Sequence, residues 1–177
     1  MPNSTLQRLI GHGLVVGLLT SVVHLVWEHT HGGVQNHHLL ARPDLPAISN
    51  WWGLIILPFL GWLASRSAAR DAALGDGAAM RSISRVLGAL LVGLALSSSF
   101  AAGFESAARG IFLTSLAVGL ILPVYRAEYI FGFVLGMTFV LGSVLPTIAA
   151  LLGASISAIA HFVIRPIMAR LLRAVRA

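Results

Sequence analysis

A chain of 177 residues that is 57% hydrophobic, 10% charged and of mean hydropathy +0.87 carries more apolar surface than a soluble domain of its size can bury, so a bilayer must solvate part of it. Its net charge of +6 comes from twelve arginines and no lysine, and these flank hydrophobic runs instead of lining one face, which sets aside nucleic acid as a partner. The absence of lysine excludes a Schiff base or lysine general base, and the absence of cysteine excludes disulfides, thiolate metal ligation and a cysteine nucleophile.

A hydrocarbon core of roughly 30 Å takes about 20 apolar helical residues, and segments near that length recur along the chain. The first covers about residues 6–27. Met1 to Arg8 before it resembles the start of a secretory leader, but the run ends in Trp27-Glu28-His29 without a small-residue cleavage site and is expected to be retained. A polar, histidine-rich loop over 28–50 follows. Within it Pro43 and Pro46 hold the backbone extended, Ser49 or Asn50 caps the next helix, and Asp44 either joins a site or pairs with Arg42. The short second span, about 51–64, is anchored by Trp51, Trp52 and Trp62.

Residues 65–85, with Arg66, Arg70, Asp71, Asp76, Arg81 and Arg85 around Gly75 and Gly77, read as a solvated loop with frayed helix ends. Spans at about 86–104 and 111–124 are joined by a turn whose Glu105 and Arg109 are spaced for an ion pair. Arg126 and Glu128 read as a second pair, between the interface anchors Tyr125 and Tyr129. The run from Tyr129 to Val163, with His161 as its one titratable break, is too long for a single crossing. Pro146 and Gly153 mark where it folds into spans of about 129–148 and 152–168.

The expected fold is therefore an all-α integral membrane protein, one polytopic domain of about six transmembrane helices in the cell membrane with both termini cytoplasmic. With the N-terminus inside, ten arginines fall in the cytoplasm, including those of loop 65–85 and the C-terminus, while Arg42 and Arg109 lie outside. A five-span arrangement would put the four C-terminal arginines outside. Gly132 and Gly136 form a GxxxG, and Gly88 and Gly93 put small residues on the third span. Packing within one subunit is the plainer use of both, ahead of a dimer face.

Six of seven histidines lie in the first 38 residues, five of them in His24-Leu-Val-Trp-Glu-His-Thr-His-Gly-Gly-Val-Gln-Asn-His-His38. If the first helix continues through His31, then His24, Glu28 and His31 stand at i, i+4 and i+7 on one face. Gly32 and Gly33 would end that helix and let His37, His38 and Asp44 fold back over it. With His29, these residues make a candidate site for a divalent transition metal such as zinc, iron, copper, nickel or manganese. The pattern is not HExxH, since the glutamate shares the helix face with His24 and so reads as a ligand or proton acceptor. A proton-handling or structural cluster accounts for the same residues. Deeper in the spans, His12 and His161 are candidates for an inner relay.

Three functions fit. The first is a small permease or channel handling a transition metal or protons through the outer cluster, working as a homo-oligomer or within a larger membrane complex. The second is a membrane-embedded metal-dependent enzyme acting on a lipid or apolar substrate, with Glu28 as its catalytic base. The third is an accessory subunit of a membrane complex.

Overall fold

The computed structural model describes residues 3–38, 42, 44, 46–73 and 77–176, and side chains among them between residues 11 and 174. It is built almost wholly of helices. Helix α1 (Asn3–Thr30) leads through the turn at Gly32 and Gly33, both at positive φ, into a short hairpin of β1 (Asn36–His38) and β2 (Ala47–Ser49). The strands pair antiparallel, with His37 opposite Ile48. One 3₁₀ turn, Asn50–Trp52, capped by Ser49, opens into α2 (Gly53–Ala72). Then follow α3 (Ala78–Ala101), α4 (Glu105–Ile121), α5 (Ala127–Leu141) and α6 (Val144–Ile159), which passes through a π turn at Ala160–Ile164 into α7 (Arg165–Arg176).

Four helical stretches are long and apolar enough to cross a membrane, at Gly11–Thr30, Asn50–Ala72, Ala78–Ala101 and Val144–Ala174. Their outward faces carry large apolar side chains, among them Leu19, Val23, Ile55, Phe59, Leu91 and Leu152. Such a surface is stable only against lipid or a partner. The chain is thus a helical membrane protein, as its composition requires.

The helix boundaries differ from the sequence expectation in several places: α4 begins at Glu105, which puts Glu105 and Arg109 inside the helix and not in a connecting turn, and two further differences each have a local reason. Residues 65–85 are helical through Ala72 and again from Ala78, because Asp71 and Arg85 are tied into the bundle by ion pairs and are not solvated loop charges. The reversal within the long apolar run falls at Gly142 and Ser143, before both Pro146 and Gly153. Gly142 adopts φ +66, which a residue without Cβ accepts readily, while Pro146 sits in the first turn of α6, where a missing N–H costs nothing.

Helix α5 lies at the centre. Its Ile130, Phe131 and Val134 pack with Leu57, Leu60 and Ala64 of α2 and Ala154 of α6, and its Met137 packs with Leu96 of α3 and Ala108 of α4. Glycines bring the backbones together. A Cβ on Gly132 would lie 2.2 Å from the Val86 carbonyl oxygen and one on Gly136 2.5 Å from that of Leu90, so the GxxxG serves the α3–α5 contact within the chain. Gly13 and Gly17 do the same for α1 against Gly61 and Leu57 of α2. Hydroxyls add cross-helix bonds, with Ser21 donating to the Gly53 carbonyl at 2.7 Å and Ser97 to that of Gly136 at 2.9 Å. At the far end of α4, the Arg165 guanidinium donates to the Leu120 and Ile121 carbonyls at 2.9 Å, capping a helix whose last acceptors would otherwise lack donors.

Candidate functional site

Two polar clusters, each with buried members, lie at opposite ends of the bundle. The first is assembled from the last two turns of α1, the hairpin and the start of α2. His24 and Glu28 are one turn apart on the inward face of α1, both buried, with His24 Nε2 3.5 Å from Glu28 Oε1. The edge of the His24 ring meets Phe139 of α5 at a centroid distance of 5.3 Å. The turn at Gly32 and Gly33 reverses the chain so that the Gln35 backbone N–H donates to Glu28 Oε2 at 3.3 Å. The buried Asn50 amide donates from Nδ2 to Glu28 Oε1 at 2.5 Å and faces His37 Nε2 at 3.4 Å. Its backbone N–H donates to the Gln35 carbonyl at 3.1 Å. The α5–α6 turn closes over it, since a Cβ on Gly142 would lie 1.9 Å from Asn50 Oδ1.

The histidine-rich segment therefore contributes selectively. His24, Glu28 and His37 converge through Asn50. His31 does not join them, because α1 ends at Thr30 and the imidazole stacks on Trp27 at 4.7 Å, with Nδ1 2.8 Å from the Trp27 carbonyl oxygen. His29 and His38 are exposed. Asp44 pairs with Arg42 at 2.6 Å on the surface, and that guanidinium holds its carboxyl below the usual carboxylate range. Among the described residues no group of three or more histidine or carboxylate side chains is placed to hold a metal ion. Asn50 read from the sequence as a helix cap. The one hint of a deeper role was an amide standing between Ser49 and two tryptophans at the head of an apolar run.

The second cluster joins α2, α3 and the start of α5. Arg85 Nη1 lies 2.8 Å from Asp71 Oδ2 and 3.5 Å from Glu128 Oε1. Arg126 also bonds Asp71 Oδ2, and lies 3.2 Å from Glu128 Oε1. Ser82 Oγ stands 3.5 Å from the same Glu128 oxygen. Glu128 is fully buried, and its Oε2 and the Arg126 Nε lack partners among the described residues. Burial works against the charge of Arg126, but hydrogen bonds to Asp71 and Glu128 outweigh it and raise its pKa above the ordinary value. The expected Arg126–Glu128 pair is present, then, within a larger network of two arginines and two carboxylates. Glu105 and Arg109 are both exposed and form no ion pair among the described residues.

The two candidate relay histidines do not meet. His12 is exposed on α1, whereas His161 lies in the π turn, with Nδ1 2.8 Å from the Ser157 carbonyl and Nε2 3.2 Å from that of Ile121. The Asn50–Ala72 helix that separates the two clusters has 23 residues, about 35 Å at 1.5 Å per residue. Leu57, Leu60, Phe131 and Val134 fill the space between them. No protein-family model, no curated protein and no solved structure matches the chain.

Proposed function

We propose that the chain is a six-span permease of the cytoplasmic membrane, with both termini inside, that moves protons by way of His24 and Glu28. The observation that carries this reading is the cluster of His24, Glu28, Asn50 and His37, hydrogen-bonded and largely removed from solvent in an otherwise apolar bundle. Buried ionisable groups in a membrane protein are costly and are kept for pathways and relays. An imidazole and a carboxylate in contact can pass a proton between them. The second cluster favours a permease over an enzyme, because a pathway needs polar groups at both ends of the bundle while catalysis can confine them to one. The apolar layer of Leu57 and Val134 between them suits a closed conformation, in which neither end communicates with the other.

Helices α4 and α5 are short for crossings, at 17 and 15 residues. Yet α5 begins beside Arg126, which bonds Asp71, and ends at Gly142, which abuts Asn50. It thus traverses the same bundle as α2, which supports counting six.

The test is purified protein in vesicles enclosing a pH-sensitive dye, with a potassium diffusion potential imposed. Flux should exceed that of empty vesicles and fall by about tenfold or more in Glu28→Gln and in His24→Gln. Flux indistinguishable from empty vesicles would rule the reading out.

A divalent metal ion is the second reading. It is favoured by the position of Asn50 Nδ2 between Glu28 Oε1 and His37 Nε2, a point that rotation of the amide would free for an ion with His24 alongside. Stoichiometric metal in the purified protein, lost in the Glu28→Gln variant, would support it.

A further inference from the structure

Away from both clusters, α3, α4, α5 and α6 surround a partly open cavity of about 740 Å³, within the roughly 300–1,000 Å³ of ordinary ligand sites. Its walls are almost entirely apolar, with Val92, Ile111, Leu116, Val118 and Phe133 prominent. The space is not a packing fault, because glycines keep it open. At Gly88 and Gly110, which line it, a Cβ would meet no atom within 4 Å, and at Gly153 only the Leu116 side chain at an ordinary 3.5 Å. Gly93, Gly132 and Gly136 are the opposite case, each pressed against a neighbouring backbone. Three glycines of these helices, Gly93, Gly132 and Gly136, therefore serve close approach, and three, Gly88, Gly110 and Gly153, serve the cavity.

Toward the start of α3 the cavity changes character. Ser84 and Tyr129 line both the apolar space and an adjoining shallow pocket formed with Gly77, Met80, Arg81 and Arg85. Arg85 is neutralised by Asp71 and Glu128. Arg81 is exposed and enters no ion pair among the described residues. An apolar slot that ends at a guanidinium with no ion pair among the described residues is complementary to a molecule with a hydrocarbon chain at one end and a negative charge at the other.

The geometry points to a binding site for an anionic phospholipid, with one acyl chain in the cavity between α3 and α6 and the phosphate at Arg81. Arg81 stands in the first turn of α3, a helix of membrane length, at the same end of the bundle as Asp71 and Arg126, and the cavity runs from there along α3 toward Val92. That is the depth relation of a phospholipid's phosphate to its chain. Basic pockets between membrane helices recognise anionic head groups by this means, and a guanidinium presents paired donors to phosphate oxygens. Tyr129, at the junction, is suited to the boundary between head group and chain because its ring is apolar and its hydroxyl polar.

The site is tested with the full chain in detergent, titrated with phosphatidylglycerol or phosphatidylcholine of identical chains and read by native mass spectrometry. Wild type should hold phosphatidylglycerol about five- to tenfold more tightly, and Arg81→Gln should bring the two lipids level. Gly110→Leu and Gly88→Leu extend a side chain into the cavity from different helices without meeting backbone. Each should weaken both lipids by about tenfold, and misfolding of one, seen as lost helicity, leaves the other to decide. Equal binding of the two lipids by wild type, a preference that survives Arg81→Gln, or unchanged binding in the folded glycine variants would overturn the site. Oleate binding as tightly as phosphatidylglycerol would reassign it to free fatty acids and overturn the phospholipid.

Discussion

Glu128 illustrates what a single charge does when it is folded into an apolar bundle. Its side chain is fully buried, and the cost of taking it out of water is offset by Arg85 and Arg126, which are themselves shared with Asp71. Removing one member of such a set leaves the others uncompensated, which costs more than the intact set contributes. Glu128→Gln should therefore lower stability by about 3 kcal/mol, and the double variant with Arg85→Gln should lose less than the two single losses added together. Thermal unfolding of the four proteins in one detergent closes the cycle, and strict additivity would show that the pair is not coupled. The Arg126–Glu128 pair was legible in the sequence because its members are two residues apart. Asp71 and Arg85 were not, because what makes them partners is the meeting of α2 with α3, and in the sequence they stand among other charges that do face water. Asn50 was missed for a similar reason. Its cap-like setting is local, whereas its contacts with Glu28 and His37 need α1, the hairpin and α2 at once.

At the scale of elements, the same residue type has two meanings that spacing alone does not separate. Gly132 and Gly136 form a GxxxG and pack on α3, as that motif suggests, while Gly88 looks equivalent in sequence and lines empty space. The difference lies in which face of α3 turns toward α5. Gly132→Leu must push α3 and α5 apart, since its Cβ would lie 2.2 Å from the Val86 carbonyl oxygen and no flexible side chain is there to yield. The expected loss is at least about 2 kcal/mol, the upper part of the range for overpacking, against a loss within about 0.5 kcal/mol for Gly88→Leu. Denaturation midpoints of the two variants in the same detergent would show the contrast, and equal midpoints would mean that the α3–α5 contact is looser than its backbone distances. Helix existence was legible from hydropathy for α1 to α6, but not for the arginine-rich end of α7. The extension of α2 to Ala72 was not, because Arg66, Arg70 and Asp71 interrupt the apolar pattern and only the ion pairs across helices explain why the turns persist.

For the whole molecule, the count of crossings rests on two kinds of information that give different numbers. Arginine placement is a statement about which segments stay in the cytoplasm, and it favours six spans without reference to helix length. Length alone picks four helices and passes over α4 and α5. Six crossings and four crossings both put the hairpin outside and the α2–α3 connection and C-terminus inside, so those segments cannot decide between them. The α4–α5 turn can. With six crossings it lies inside, beside Asp71, with which Arg126 pairs; with α4 and α5 lying outside the membrane it would be external. Because the chain lacks cysteine, single cysteines at exposed positions report this cleanly. In intact cells a membrane-impermeant maleimide should label Asn36→Cys but not Ala73→Cys or Leu122→Cys, and both of the latter should become reactive once the membrane is permeabilised. Labelling of Leu122→Cys from outside would reduce the crossings to four and detach Arg126 from Asp71, removing the inner polar cluster and with it the case for a path through the bundle.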